Sequence, residues 1–249
     1  MSTVVNQGNN ILFRQKIIIW IKKNKIVALS VIVLLWLIVE IAFLPFGDIH
    51  YLKKRNPKTT ALIEQRRDEA RRRGKKFRIT QYWIPYNQIP KDLINSVIVA
   101  EDGTFWKHGG FDWFEFRESF EKNIREGRAA RGASTITQQL AKNLYLSTSK
   151  TPLRKIKEWI LTWRLENELS KSRILELYLN YIEWGDGVFG VKAAALFHFG
   201  KDVTLLSREE CAKLAAIIQS PRRYKPGFDS RYINSRTRVI VERMNARGL

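Results

Sequence analysis

A glutamate at the end of an apolar helical face is the first feature that could carry chemistry. Glu101 begins the segment 101–110, EDGTFWKHGG, and follows Ile94, Val97 and Ile98, which recur at helical spacing. A carboxylate at the edge of a hydrophobic core is partly desolvated, and desolvation raises its pKa toward the working range of a general base. Acidic residues at helix ends are also common solvent-facing caps, so this segment alone leaves both interpretations open.

Two further segments are rich in side chains that bind sugars and phosphate. Segment 131–143, RGASTITQQLAKN, combines many neutral hydrogen-bond donors and acceptors with Lys142, a mixture that suits recognition of sugars and phosphate. Segment 154–158, RKIKE, places Arg154 and Glu158 one helical turn apart. That spacing also fits a simple intrahelical ion pair.

The composition indicates one folded domain with an anionic partner. The chain has 249 residues, of which 45% are hydrophobic, and this excludes a mainly disordered protein. Lys and Arg outnumber Asp and Glu by 44 to 24, so nucleic acid, anionic lipid or a phosphorylated substrate is expected to bind. Cys211 is the single cysteine, which excludes an intrachain disulfide, and the three histidines lack metal-ligand spacing.

One segment near the N-terminus has the character of a membrane anchor. Segment 26–46 is apolar except for Ser30 and Glu40, and it approaches the roughly 20 residues that cross a bilayer. No small-residue cleavage site follows, which favours an uncleaved transmembrane helix over a signal peptide or a buried core helix. Basic residues flank both ends and only slightly favour a cytoplasmic tail at 1–25.

The rest of the chain divides into a linker and a helical domain. Segment 47–80 is predicted to be a basic juxtamembrane linker, with a solvated helix broken at Gly74 that serves as a spacer or lies on anionic headgroups. Helical spacing of apolar residues predicts a mainly α domain over 81–247. Glycines at 185, 187 and 190 predict an irregular loop. Helices are expected to start at Asp92, Thr151, Ser170 or Ser172, and Ser207.

Five segments in a fixed order carry a resemblance to a known family. They are EDGTFWKHGG, GASTITQQLAKN, RKIKE, KSRILELYLN and LAAIIQSPRRY. Together they resemble the five motifs of the peptidoglycan glycosyltransferases, glycosyltransferase family 51, over about residues 80–247. The resemblance implies a mainly α, lysozyme-like domain with a smaller membrane-facing lobe called the jaw.

The resemblance also implies roles for individual residues. Glu101 would be the base that takes the proton of the acceptor's GlcNAc 4-hydroxyl, so that inverting attack on the donor's lipid-linked MurNAc makes a β-1,4 bond. Glu158 would be the second catalytic glutamate, which helps to organise the donor pyrophosphate and a divalent cation, Mg²⁺ or Mn²⁺. Glu101 and Asp102 are the implied metal ligands, and Glu176, Tyr178 and Asn180 are implied scaffold residues. The implied substrate-binding residues are Asp102, Phe105, His108, Ser134, Thr135, Gln138, Gln139, Lys142, Asn143, Arg154 and Lys155.

The implied substrate agrees with the basic composition. A lipid pyrophosphate leaves as a stabilised anion, so it needs positive charge, from Lys142, Arg154, Lys155 and a cation, rather than an acid. The expected partners are lipid II, the lipid-linked glycan strand, the membrane, and cell-wall synthesis and division proteins, with no nucleic acid. The expected location is the cytoplasmic (inner) membrane, with the catalytic domain on its periplasmic side.

Three other functions are weighed against this one. A lysozyme-like glycan hydrolase or lytic transglycosylase would share the helical fold and a catalytic Glu, but it would require neither the polar run of 131–143 nor a lipid anchor. A nucleic-acid-binding protein would explain the charge, but no reading helix or aromatic platform is recognisable. Ser-x-x-Lys occurs at 119–122 and 147–150 without a following Lys-Thr-Gly, so a transpeptidase is not indicated.

Overall fold

The computed structural model describes residues 23–127, 134–149, 151–224 and 230–249. These residues divide into two compact units. The first unit ends at Leu44, and the second begins at Pro45. The prediction of a mainly α fold is confirmed, because helices dominate and the strands are short. The helices are α1 Lys25–Ala42, α2 Phe46–Tyr51, α3 Ala61–Arg72, α4 Lys91–Glu101, α5 Trp113–Glu126, α6 Ile136–Tyr145, α7 Pro152–Glu168, α8 Lys171–Tyr181, α9 Val191–Phe199, α10 Arg208–Ile217 and α11 Arg231–Ala246. The strands are β1 Thr80–Gln81, β2 Glu183–Gly185 and β3 Val188–Phe189.

Helix α1 has the length and composition of a membrane-spanning helix. The segment Lys25–Tyr51 contains an 18-residue window of mean hydropathy 2.8, and most side chains of α1 are exposed. The helix ends at Ala42, before the predicted limit at residue 46. Pro45 accounts for this, because a proline disfavours helical geometry at the residue before it.

The core of the second unit brings distant parts of the chain together. Helix α10 packs against α4 and α11, while α6 packs against α7 and α8. Leu93, Val97, Leu140 and Leu161 are among the fully buried side chains that fill these contacts. The two groups of helices position the candidate catalytic residues, Glu101 at the end of α4 and Glu158 on α7.

A small sheet replaces the irregular loop predicted around the three glycines. Strand β3 pairs in parallel with β1 and antiparallel with β2. Gly187 has φ +75°, and a Cβ there would lie 2.2 Å from the carbonyl oxygen of Arg78, so the approach of β1 requires glycine. The loop prediction is wrong because two- and three-residue strands carry too little alternation to be recognised.

The segment predicted as a linker folds with the rest of the second unit. Helix α3 packs against α6 and buries Leu62 and Ile63. Its Arg66 pairs with the buried Glu183 of β2, with Nη2 2.7 Å from Oε2. The compact unit therefore begins near Pro45 rather than at residue 81, although Gly74 follows the helix end as predicted.

Most predicted helix starts are confirmed by their caps. Thr151 caps α7 with Pro152 in the first turn, Ser170 caps α8, and Ser207 forms a capping box with Glu210 at the start of α10. Helix α4 begins at Lys91 instead, after Pro90, with Asp92 in its first turn.

Candidate active site

Glu101 is the last residue of α4, held there by the buried face of that helix. Leu93, Val97 and Ile98 pack into the core, so the end of α4 is fixed by burial. Oε2 of Glu101 accepts a hydrogen bond from Nε2 of Gln139 at 2.9 Å. Oε1 is buried and has no hydrogen-bond partner among the described residues. One oxygen is thus held in place and the other is free to take a proton.

The pKa of Glu101 reflects this burial. Desolvation is the largest influence and raises the pKa above its ordinary value, as the sequence predicts for a general base. The hydrogen bond from Gln139 opposes that rise, as do the positive charges of Arg236 and Lys142. Because desolvation outweighs these, the carboxylate is a stronger base than an exposed glutamate.

Gln139 is itself held by a second residue. Its Oε1 accepts a hydrogen bond from the hydroxyl of Tyr178 at 3.0 Å, and Tyr178 is fully buried in α8. The amide orientation that donates to Glu101 is therefore fixed, since the same side chain must accept from Tyr178. This chain of contacts joins α8, α6 and α4 at the candidate base.

Asp102 and His108 shape the loop after α4. Oδ1 of Asp102 lies 2.8 Å from Nε2 of His108, and its Oδ2 accepts from the backbone N–H of Ile136 at 3.0 Å. Nδ1 of His108 accepts from the backbone N–H of Gly110 at 3.1 Å, so the neutral ring donates from Nε2. Both side chains are fully engaged, which is the arrangement of a scaffold.

Phe105 is buried beneath this loop. Its side chain has no exposed surface, and the ammonium nitrogen of Lys171 lies 4.4 Å from the ring centroid. The ring also meets His108 edge-on, with centroids 6.4 Å apart. Phe105 therefore supports the loop from below instead of offering an exposed surface to a substrate.

The start of α6 is fixed by a capping box that sequence reasoning missed. The hydroxyl oxygen of Thr135 accepts from the backbone N–H of Gln138, whose own Oε1 accepts from the N–H of Thr135 at 3.0 Å. The Thr135 hydroxyl also donates to the carbonyl of Gly110 at 2.8 Å. These two side chains were predicted to bind substrate, and the structure instead commits those atoms to the framework. The spacing Thr-x-x-Gln was the signal that indicated this.

A cluster of positive charge lies around Glu158. Both carboxylate oxygens of Glu158 are taken, one by Nη1 of Arg154 and the other by Nζ of Lys155. The side chain of Glu158 is only 3% exposed, so the carboxylate holds the two cations at a fixed place. Lys155 also donates to the hydroxyl of Ser134 at 3.3 Å, while Nε of Arg154 is buried without a partner among the described residues.

Lys142 connects this cluster to the candidate base. The ammonium is largely buried, and desolvation is the main reason that its pKa lies below the ordinary lysine value. Glu158 and Glu101 both favour its charged form, whereas Arg154 and Lys155 oppose it. Lys142 therefore lies within electrostatic reach of both glutamates, and the structure brings the two predicted catalytic residues into one site.

Two further residues that were predicted for the site, Asn143 and Asn180, are buried. Asn143 is 8% exposed on α6, and Asn180 is fully buried, where its side chain bonds both backbone groups of Ile84 at 2.9 Å, as expected of a scaffold. Residues 131–133 of the second motif lie outside the described part of the chain. Arg222 of the fifth motif lies 3.6 Å from Glu69 and 3.5 Å from Asp186.

Gln219 and Arg236 are site residues that sequence reasoning missed. Nη1 of Arg236, on α11, donates to Oε1 of Gln219 at 3.2 Å. Arg236 lowers the pKa of Glu101 through its charge, and Gln219 lowers it through its side-chain amide, which lies near the carboxylate without forming a hydrogen bond of ordinary geometry. Arg236 lies outside the five motifs, and nothing in the local pattern of α11 distinguishes it from the neighbouring arginines. Its contact with the site depends on the packing of α11 against α4.

The two predicted metal ligands leave few free oxygen atoms. Asp102 has both oxygens occupied and Glu101 offers only Oε1, so this pair alone does not supply the octahedral set of oxygen ligands that Mg²⁺ takes. Asp102, His108 and Asp112 do place ligand atoms within 4.8 Å of one another. The carboxylates and the ring already bond to protein groups, however, among them the backbone N–H of Glu115, which donates to Asp112 at 2.8 Å.

Comparisons with known proteins show which family this chain resembles. Residues 69–245 match a family described as transglycosylase. A biosynthetic peptidoglycan transglycosylase of Nitrosospira multiformis is 44% identical over 199 residues, which cover 80% of this chain and 86% of the relative. The protein of the same name from Bordetella avium is 40% identical over 229 residues, covering 90% of this chain and 94% of the relative. A third, from Laribacter hongkongensis, is 41% identical over 200 residues, covering 80% and 88%.

Proposed function

Because the chain belongs to the transglycosylase family and is a peptidoglycan glycosyltransferase, we propose that it polymerises lipid II into β-1,4-linked glycan strands. The observation that supports this best is the state of Glu101. A buried carboxylate with one oxygen held by Gln139 and one oxygen unpaired is prepared to accept a single proton from a substrate hydroxyl.

The proposed reaction needs one base and one stabilised leaving group. Oε1 of Glu101 takes the proton of the acceptor's GlcNAc 4-hydroxyl as that oxygen attacks the anomeric carbon of the donor MurNAc. The bond from this carbon to the phosphate oxygen breaks, and undecaprenyl diphosphate leaves with the electron pair. The attack comes from the face opposite the leaving group, so the configuration inverts and a β-1,4 bond results.

The cations around Glu158 would stabilise the charge that develops on the pyrophosphate. Lys142, Arg154 and Lys155 lie together, and the buried Nε–H of Arg154 has no partner among the described residues. Fixed donors aimed at a developing anion lower the barrier because they need no reorganisation during the reaction. Glu158 then acts as a positioning residue, which holds the cations while its own oxygens are occupied.

A divalent cation remains part of the proposal in a restricted form. Since Glu101 and Asp102 cannot hold it between them, the ion would be bound through the pyrophosphate oxygens of the substrate, near Glu101. Mg²⁺ commonly binds substrate phosphates together with one or two carboxylates. The ion would add positive charge at the leaving group, and no step assigned above to this chain's residues depends on it.

A glycan hydrolase is the alternative that the same fold could support. Hydrolysis of a glycosidic bond requires a second carboxylic acid that can protonate the leaving oxygen. Glu158 is paired through both oxygens with Arg154 and Lys155, so neither oxygen is open to a leaving oxygen. The site therefore favours a leaving group that needs cations over one that needs a proton.

A membrane location is supported by two separate features. Helix α1 can cross a bilayer by its length and composition, and the basic flanks suggest that the catalytic unit is on the periplasmic side of the inner membrane. Helix α5 exposes an apolar face that suits a membrane-facing lobe; its residues are Trp113, Phe114, Phe116, Phe120 and Ile124. Cell-wall synthesis and division proteins stay a prediction as further partners.

The experiment uses the full chain in detergent with purified lipid II and Mg²⁺. Gel separation with and without muramidase should reveal a muramidase-sensitive polymer. Glu101→Gln should abolish this polymer, while the variant still unfolds at a temperature no lower than that of the unchanged chain. The matched control is Glu209→Gln, the same change at a 67%-exposed side chain. Substantial polymer from Glu101→Gln would remove the base assignment, and shortening of preformed glycan strands would favour the hydrolase.

A further inference from the structure

A cavity of about 380 Å³ opens near the start of the second unit, and none of the residues assigned to the reaction lines it. Its walls come from α2, the loop after it, the first turn of α3 and the end of α6. The residues that matter below are Asp48, Tyr51, Arg55, Glu64, Leu144 and Tyr145.

The wall between α2 and α3 is held in place by two residues of α8, Arg173 and Tyr181, the second of which donates from its hydroxyl to the carbonyl of Pro57. Nε of Arg173 donates to the carbonyl of Leu52 at 2.8 Å, and its Nη2 donates to the carbonyl of Arg55 at 3.0 Å and to Oδ1 of Asn56 at 2.7 Å. The loop thus has few ways to collapse into the cavity. A pocket formed before its ligand arrives binds without the entropy cost of ordering its walls.

The cavity presents one negative and one positive side chain, Asp48 and Arg55, both of which are exposed. Neither Asp48 nor Arg55 has an oppositely charged side chain within 4.0 Å in the described parts of the chain. Glu64, the other acid of the wall, already pairs with Arg67 at 2.6 Å. The guanidinium of Arg55 lies 5.7 Å from the ring centroid of Tyr51, which keeps it at the rim of the cavity.

A buried hydroxyl also lacks a partner. Oη of Tyr145 is inaccessible to solvent and makes no hydrogen bond within the described residues. Burial and the charge of Asp48 raise the pKa of this hydroxyl, so it stays protonated and can donate. An unsatisfied buried donor is costly, and a ligand oxygen that displaces the side chains covering this hydroxyl would remove that cost.

The sequence places this cavity close to a membrane. Asp48 follows Ala42, the end of α1, by six residues. Since an extended chain covers at most about 3.5 Å per residue, Asp48 lies within roughly 20 Å of the end of the apolar segment. Leu52, Leu144 and the ring of Tyr51 add apolar surface, so the walls suit an amphiphile.

We propose that this cavity binds the headgroup of a membrane phospholipid that carries both a primary ammonium and a phosphate, which is the chemistry of phosphatidylethanolamine. The ammonium would donate to Asp48, while the phosphate would accept from Arg55 and from the hydroxyl of Tyr145. A quaternary choline ammonium has no N–H to donate to Asp48. A glycerol headgroup would leave Asp48 without a cation.

The test measures lipid binding to the purified full-length chain, independently of polymerisation. Dioctanoyl forms of phosphatidylethanolamine, phosphatidylcholine and phosphatidylglycerol are titrated separately, and their affinities follow from the stabilisation each gives in thermal unfolding. The ethanolamine lipid should bind about tenfold more tightly than the choline lipid, the ratio expected from one charge-assisted hydrogen bond.

Three variants separate the contacts. Asp48→Asn should abolish the preference for ethanolamine over choline. Arg55→Gln should weaken both lipids by about tenfold, since both carry the phosphate, and Tyr145→Phe should weaken them by a smaller factor. Lys54→Gln is the matched control, because it removes the same charge one residue away from Arg55 and does not line the cavity.

Two results would overturn the proposal. Equal affinities of the ethanolamine and choline lipids would remove the role of Asp48, and tighter binding of the glycerol lipid would show that only the negative charge is recognised. The proposal is also overturned if the Asp48→Asn and Arg55→Gln variants bind all three lipids with the affinities of the unchanged protein.

Discussion

Glu101 is subject to two opposing influences that mutation can separate. Burial raises its pKa, and the hydrogen bond from Gln139 lowers it. As the proposed base, Glu101 must be deprotonated to act, so kcat/KM should rise with pH through the pKa of Glu101 in the free enzyme. The position of that acid limb therefore reports how strongly Gln139 supports the carboxylate.

Replacement of Gln139 tests this balance. In Gln139→Leu the donor to Oε2 is lost, so the pKa of Glu101 should rise further and the acid limb should move to higher pH by about one unit, the equivalent of one hydrogen bond to a charged group. The measurement is kcat/KM for lipid II polymerisation across pH. Gln88→Leu, at an exposed position, should leave the limb in place. An unmoved limb in Gln139→Leu would mean that another group sets it.

The buried charge of Glu101 should also lower the free energy of unfolding at neutral pH. Because its folded pKa is raised above the unfolded value of about 4.5, the carboxyl contributes most favourably when protonated, and that contribution is lost as pH rises through the folded pKa. Glu101→Gln should therefore melt a few degrees higher than the unchanged chain at pH 7, with the difference shrinking toward pH 4. A melting-temperature difference that is independent of pH would contradict the burial of the charged form.

The sequence predicted the surroundings of the two glutamates because these are local, whereas their catalytic roles came from the resemblance to the family. The apolar face that precedes Glu101 and the helical spacing of Arg154 and Glu158 lie within single helices, so burial and pairing follow from periodicity. Thr135 and Gln138 were predicted to contact substrate from their polarity, and their capping of α6 was missed because their hydrogen bonds to the backbone were not considered. Arg236 approaches Glu101 from more than a hundred residues away, which no local pattern reveals.

At the scale of elements, helix α3 shows that a highly charged sequence does not by itself predict a solvated helix. Its sequence is dominated by charged residues and predicts a solvated spacer, yet it buries two apolar side chains, and three of its polar residues contact distant parts of the unit: Gln65, Arg66 and Glu69. Arg66 of α3 and Glu183 of β2 are 117 residues apart in sequence, and their side chains are 17% and 4% exposed. The short strands were missed because two or three residues carry too little alternation, and because the partner of β1, strand β3, lies far away in the sequence.

A double-mutant cycle tests how α3 is held. Glu183→Leu should lower the free energy of unfolding by about 3 kcal/mol, because it leaves the guanidinium of Arg66 buried with only Glu69 as a partner. Arg66→Met combined with Glu183→Leu should recover most of that loss, since neither side chain then buries an unpaired charge. Chemical denaturation of the four proteins gives the coupling. Additive losses would mean that the pair does not join α3 to the sheet.

The whole molecule combines an apolar helix with a compact unit that has its own core. The division falls between Leu44 and Pro45, and the contacts that form the candidate site all lie within 45–249. The net charge of +20 suits an enzyme that meets an anionic lipid substrate at a membrane surface. Anchoring and catalysis should therefore be separable, with the boundary at Pro45 rather than at residue 81.

Two truncated chains distinguish these boundaries. A chain of residues 45–249 should unfold cooperatively and polymerise lipid II in detergent at a rate within about threefold of the full chain, because its core and site are intact. It should be released from membranes by an alkaline carbonate wash that leaves the full chain bound, since only weak interfacial contact through α5 remains. A chain of residues 81–249 lacks α2 and α3, leaves Glu183 buried without Arg66, and should fail to melt cooperatively. If 81–249 instead folds and polymerises lipid II as well as 45–249 does, then α3 is a spacer after all and its buried pair contributes little to the fold.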